Sequence, residues 1–365
     1  MERIPVIELF FELIRTAIGT GKGLSTAPTA QEWEELLELS KKQALLGITF
    51  TGIEKLPDGQ RPPKSTLLVW YNYCKHIEAA NEKLNKQATA VAEKFLAEGF
   101  RNAIIKGQGL ATIYDNPLRR TPGDIDIWLD GERDEIISYV KKIVPGCKPV
   151  YHHVDFPVFP DIDIEIHFMP SWMYNYFTNR KLLEYFASEK EAQFTNSIAL
   201  HGCTGCINVP TNSFNRIFIL LHIYRHLFEE GIGLRQLLDY YYVLQQGFTE
   251  QEKAATLQQL KELKMVRFAG AVMHVLKKVF AMDEKYFLTT PLEKEGDFLL
   301  KEILAGGNFG KYSQRYEAEM NGNLLQRAFA RTAHNMIFAR SYPSETLAAQ
   351  PFRIWHYFWR KKYNR

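Results

Sequence analysis

An α+β fold is predicted for this chain: a small mixed β-sheet core flanked by N-terminal and C-terminal helical regions. Two observations predict it. Apolar residues recur at helical spacing up to Glu98 and again from Thr211 onward, whereas from Phe100 short apolar runs and strict two-residue alternation take over. The 365 residues suffice for two or three units, each with a core of its own. The expected division is a helical region over 1–99, an α/β core over 100–210 and a helical domain over 211–365.

Each element has its own signal. Residues 4–18 carry apolar side chains at helical spacing. Thr29 and Glu32 have the spacing of a capping box, and the helix they open is expected to reach Leu46. Pro62-Pro63 breaks the chain, and an amphipathic stretch then runs from Ser65 to Glu98, ended by Gly99. Residues 102–105 form an apolar run that reads as a buried strand turning at Gly107 into a short helix. Residues 123–129 alternate, with Asp124, Asp126 and Trp128 opposite Ile125, Ile127 and Leu129. A helix is expected over 132–144. Residues 161–168 alternate as strictly, with Asp161, Asp163, Glu165 and His167 opposite Ile162, Ile164, Ile166 and Phe168. Helical periods return over 213–228, 234–245, 249–263 and 266–280, and the end of the chain is aromatic and basic.

Composition narrows the function. The net charge of +3 is small for this length and speaks against a broad basic field for nucleic acid. No apolar run approaches the roughly 20 residues of a membrane span. Met1–Pro5 lacks a basic n-region and a small-residue cleavage site, and the four cysteines are too scattered for a disulfide scaffold. The expected location is the cytoplasm.

The chemistry lies in the carboxylates. Residues two apart on a strand point the same way, with Cα atoms ~6.6 Å apart. Asp124 and Asp126 can therefore converge on one cation, or on two that share a carboxylate. Magnesium is usually held by one or two carboxylates plus substrate phosphates, and Glu165 on a neighbouring strand is the third candidate. Charged edge strands that discourage aggregation have the same pattern, but two acidic strands with wholly apolar reverse faces favour a metal site.

The turn Lys106-Gly107-Gln108-Gly109 follows a strand and opens a helix, an arrangement that suits phosphate through backbone amides and the Lys106 charge. It is neither a Walker loop nor a dinucleotide fingerprint. A strand, a Gly-containing turn and a helix followed by Asp-x-Asp resemble the DNA polymerase β-like nucleotidyltransferase superfamily. Within it the sequence is similar to the uncharacterised nucleotidyltransferases, which share Lys106, Gly107, Leu110, Tyr114, Arg119 or Arg120, Asp124, Asp126, His152, His153, Glu165 and His167. The likeness covers roughly residues 65–250, including the helical segments 221–226 and 234–239. It departs at Gln108, where the superfamily commonly has serine or glycine.

The resemblance implies transfer of a nucleoside monophosphate from a nucleoside triphosphate such as ATP to an acceptor hydroxyl of unidentified class, with release of pyrophosphate. Asp124, Asp126 and Glu165 would hold two magnesium ions, with Glu165 also helping to take the acceptor proton. Lys106, Gly107, Gln108 and Arg120 would grip the triphosphate. His153 and His167 are candidates for acceptor contacts or for support of the carboxylates, and only one of His152 and His153 is expected to face them. The alternative is a catalytically silent nucleotidyltransferase fold acting as a binding or antitoxin-like module. Arg216, six residues before His222, has a spacing reminiscent of RNA-cleaving helical partners of such folds.

Four features favour structural explanations. His222 and His226 read as an interface pair in preference to a transition-metal site, and Arg235 with Asp239 as a helix-face ion pair, with the border of the cleft as the alternative. The lone Cys203-x-x-Cys206 lacks the second pair that structural zinc needs. The aromatic tail reads as a helix docked on the core in preference to one lying on a membrane.

Overall fold

The computed structural model describes residues 4–313 and 323–363. The chain opens with α1 (Val6–Ala17), α2 (Ala30–Lys42), α3 (Leu46–Lys55) and the long α4 (Lys64–Ala97). Thr29 and Glu32 close the capping box of α2. The expected run of this helix to Leu46 does not form. Ala44 turns to a φ of 54°, and the Leu45 amide donates back to the Ser40 carbonyl at 2.8 Å, so α2 stops and α3 starts in a new direction.

The α/β part then follows as β1 (Asn102–Ile105), α5 (Gly107–Ala111), β2 (Ile125–Leu129), α6 (Arg133–Ile143), β3 (His153–Asp155), β4 (Ile164–His167), α7 (Tyr176–Gln193) and the hairpin β5 (Ser197–Ala199) with β6 (Cys206–Asn208). The main sheet has the order β1-β2-β4-β3. β2 runs antiparallel to β1 and parallel to β4, and β3 runs antiparallel to β4. The alternating run at 161–168 becomes a strand only from Ile164, while Asp161 leaves the sheet to pair with Lys83 on α4.

Alternation decides the two faces of this sheet. Ile104, Ile125, Ile127, Ile164 and Ile166 pack with Leu84, Ala88, Val91 and Phe95 of α4 and with Ile136 and Val140 of α6. On the other face Ile105 and Trp128 join the larger cluster, with Trp128 against Phe194 and Phe214. The acidic positions share that second face.

The remaining helices are α8 (Asn212–Glu229), α9 (Leu234–Gln245), α10 (Glu250–Glu262), α11 (Val266–Phe280), α12 (Glu293–Gly306), α13 (Leu324–Ile337) and α14 (Pro343–Tyr363). One buried cluster runs from Leu9 of α1 through α8, α9 and α11 to Ala349 of α14, so the first and last helical regions share a core. The tail docks as expected: Phe352 stacks on Trp172 with centroids 4.3 Å apart and planes at 11°. None of the described helices is long and apolar enough to cross a membrane.

Candidate functional site

Parallel pairing of β2 with β4 sets Asp126 beside Glu165 and Trp128 beside His167. Side chains at paired positions share a face, so register alone brings these groups together. Lys106, the last residue before α5, reaches over the same face, with its Nζ 2.7 Å from Asp126 Oδ1. His167 Nε2 lies 2.9 Å from the same oxygen and 3.2 Å from Glu165 Oε2. Asp126, Glu165 and His167 each offer a ligand atom within 4.8 Å of the others. Asp124 precedes β2, is exposed, and acts on this knot through its charge.

The electrostatics follow from the geometry. The Asp126 charge pushes Asp124 up to about 6. Burial opposes ionisation of Asp126, but the Lys106 ammonium and the His167 hydrogen bond outweigh it and hold the carboxyl below its usual range. Burial likewise opposes ionisation of Glu165, yet its hydrogen bond to His167 and the nearby His153 bring it well below that range. Lys106 keeps its proton more tightly than usual, since three carboxylates offset its burial.

The histidines divide by what surrounds them. His167 has the Met169 carbonyl 3.4 Å from Nδ1 and two carboxylates at Nε2, and the carboxylates raise its pKa against the pull of burial. His152 Nδ1 accepts from Trp172 Nε1 at 3.1 Å, and the Arg225 guanidinium lies 3.1 Å from its Nε2. Burial and Arg225 keep it neutral. His153 Nδ1 sits 3.3 Å from Glu165 Oε2, and burial lowers its pKa to about 4.

Of His152 and His153, His153 is the one beside a carboxylate, with Glu165 at 3.3 Å. His152 lies before β3, where strand alternation does not apply, and meets imidazoles instead: its ring centroid is 4.4 Å from that of His153 and 5.3 Å from that of His167. These three histidines form a second group of mutually close ligand atoms.

Of the expected phosphate ligands, Gln108 has its side chain buried against α4, where it bonds Asn85, which leaves the backbone amide on which the expectation rested. Arg120 is differently placed. Arg120 is buried and held in a two-pronged pair by Asp239, at 2.7 and 2.9 Å, with the Tyr114 hydroxyl donating to the same carboxylate. The expected Arg235–Asp239 pair is therefore absent. Arg235 donates to the Thr121 carbonyl at 3.1 Å, its buried Nε has no partner, and its NH1 lies 3.8 Å from where a Cβ on Gly123 would be.

α8 supplies residues that sequence reasoning treated as structural. Arg225 reaches His152, and burial followed by the Lys106 charge lowers the pKa of His222 well below its usual value. The rings of His222 and His226 meet edge to face with centroids 4.3 Å apart. Arg216 faces elsewhere, pairing with Glu252 at 2.9 Å, so its spacing to His222 builds no joint site. The i, i+4 recurrence of His222 and His226 was the one sequence signal for these residues.

A family described as an uncharacterised nucleotidyltransferase matches residues 29–281. No curated protein matches the chain. Among solved structures, an antigenic nucleotidyltransferase-like protein from Paracoccidioides brasiliensis aligns at 10% identity and a TM-score of 0.36, over 58% of this chain and 95% of that one.

Proposed function

The chain belongs to the uncharacterised nucleotidyltransferase family, and from this premise we propose that it transfers a nucleoside monophosphate from a nucleoside triphosphate to an acceptor hydroxyl, releasing pyrophosphate in a magnesium-dependent reaction. The observation that carries the reading is the meeting of Asp126 and Glu165 on adjacent parallel strands, with Lys106 on Asp126.

The donor set fits the ion this chemistry implies. Hard divalent cations take oxygen ligands. Asp126 and Glu165 offer them within one small group, and the raised proton affinity of Asp124 marks an excess of negative charge that a cation relieves. Asp124, Asp126 and Glu165 would hold magnesium, which when bound neutralises phosphate charge and activates the acceptor oxygen.

The protein's own groups do the rest. Lys106 places an ammonium where a triphosphate meets the carboxylates, helped by the amides of Gly107 and Gln108. Arg235, without a carboxylate of its own, is the better second cation for phosphate than Arg120, whose guanidinium is engaged by Asp239. The low proton affinity of Glu165 suits it to hold charge and not to take the acceptor proton. His152 and His153, both neutral, are suited to orient an acceptor hydroxyl.

A catalytically silent binding or antitoxin-like module is the second reading. One observation favours it: Asp126 is already neutralised by Lys106 and His167. Pyrophosphate release decides between the two, measured with each nucleoside triphosphate, magnesium, and sugars, antibiotic-like small molecules, protein and RNA as acceptors. The enzyme reading expects magnesium-dependent release that Asp126→Asn lowers by about 100-fold or more. Absence of both release and magnesium-dependent triphosphate binding with every acceptor rejects it.

A further inference from the structure

The two C-terminal helices dock by one face and leave the other open. On α14, Phe352, His356 and Trp359 turn inward, where Phe352 meets Trp172 and Trp359 approaches Tyr151. Glu345 anchors the start of the helix by accepting from the amides of Tyr174 and Asn175, at 2.7 and 3.2 Å. The opposite stripe carries Leu347, Ile354 and Phe358, which are 66%, 61% and 62% exposed. Their spacing of seven and then four residues puts them in line along one side of the helix. α13 does the same. His334 and Phe338 are buried, while Phe329 and Met336, seven residues apart, are 77% and 54% exposed.

Charge accompanies these apolar stripes. Residues 323–363 hold seven Lys and Arg and one acid, Glu345, which is buried. The whole chain carries only +3, so the remainder is net acidic and the positive charge is gathered in this pair of helices. Arg340, exposed in the turn after α13, and Lys361, exposed on α14 three residues beyond Phe358, add positive charge beside these stripes. Trp355 and Tyr357 flank the α14 stripe and are about half exposed.

We propose that α13 and α14 form a docking face for an anionic lipid surface, on which the protein lies without spanning it. An exposed aliphatic and aromatic stripe bordered by Lys and Arg enters the headgroup boundary, with the cations meeting acidic lipid. Trp and Tyr at the flank occupy the level such side chains favour. Single-stranded nucleic acid would also attract the charge, but it is gripped by aromatic platforms and not by rows of Leu, Ile and Met.

Cosedimentation of the full chain with vesicles tests this, using phosphatidylcholine alone or with about 30% phosphatidylserine. Binding is expected to the mixed vesicles, falling about tenfold or more when salt is raised from about 0.15 M to about 0.5 M. Ile354→Glu with Phe358→Glu, and separately Arg340→Glu with Lys361→Glu, should each reduce it about tenfold while melting temperature stays unchanged. If the first pair impairs folding, Ile354→Ser with Phe358→Ser makes the same test without added charge. Equal binding to both vesicle types, or none to either, overturns the proposal. So does a shift from dimer to monomer caused by Phe358→Glu without any vesicle binding, which would make the face a contact between copies. Binding of single-stranded RNA in place of vesicles, lost in the same variants, overturns it as well.

Discussion

Lys106 holds a φ of 64° and a ψ of −149°, a conformation that L-residues rarely adopt, and Gly107 follows at a φ of 41°. Such strain costs roughly 1–3 kcal/mol and persists where surrounding contacts over-determine it; here the Lys106–Asp126 pair is that contact. Asp124 carries a titration that can be followed. Its pKa of about 6 lies above the ordinary 3.8, so the folded state takes up a proton there. The stability this contributes is full below about pH 4 and lost as pH rises through about 6. In a chelator at about pH 7.5, Asp124→Asn should therefore melt at or above the wild-type temperature, and the advantage should vanish near pH 4. Magnesium with nucleotide should stabilise the wild type more than this variant. A lower melting temperature for Asp124→Asn in the chelator would make the residue a structural ion partner. Arg235 supplies a second test. Arg235→Gln removes a buried cation that has no carboxylate, so folding should be unharmed while KM for the triphosphate rises by roughly tenfold. A fall in melting temperature with KM unchanged would assign Arg235 to the fold alone.

Among the elements, helix ends were harder to read than helix bodies. The segments 234–245 and 266–280 begin and end where their periodicity does. α2 does not, because its end is set by a left-handed residue without glycine. Ala44 at a φ of 54° and Lys264 at 57° each precede a residue whose amide reaches back to close the helix, Leu45 to Ser40 and Met265 to Leu260. Glycine would signal such an end in sequence, and alanine or lysine does not. Ala44→Gly should accordingly stabilise the protein by about 0.5–1 kcal/mol, since it removes the Cβ clash that exceeds the entropy cost of glycine. Urea unfolding measures this, and a loss of stability would show that the Ala44 methyl packs more favourably than its backbone is strained.

At the scale of the molecule, the family match begins at residue 29, yet the core begins earlier. Leu9, Phe10, Leu13 and Ile14 of α1 are almost wholly buried, and Arg15 Nε donates to the Val279 carbonyl of α11 at 3.1 Å. α1 thus joins the start of the chain to helices more than 200 residues away. Phe10→Ala should cost roughly 3–5 kcal/mol in urea unfolding as one cooperative transition, because a large cavity opens in a shared core. A second, separate transition for the N-terminal helices would contradict that sharing. The same packing carries α8 and α9 to the acidic face. Asp239 of α9 fastens Arg120 in the loop before β2, which brings Arg235, one turn earlier on α9, next to Gly123.

Period is a local property of the backbone, and what depends on it was determined by sequence alone. Alternation put Asp126 and Trp128 on one face of their strand and Glu165 and His167 on one face of theirs, and helical spacing located most helices to within a few residues. The family's motifs were equally legible. Tertiary structure decided everything that depends on register or on distance along the chain. Parallel pairing put Asp126 beside Glu165, and no pattern within either strand specifies that pairing. A bend before β3 brought His152 in with His153. Asp239 chose Arg120 over Arg235 although Arg235 is one helical turn away, because a buried carboxylate takes the guanidinium that meets both its oxygens. The histidines and arginines of α8 and α9 reached the site because a core shared across the chain holds those helices against the sheet, and such a core is a sum over contacts that no short stretch of sequence contains.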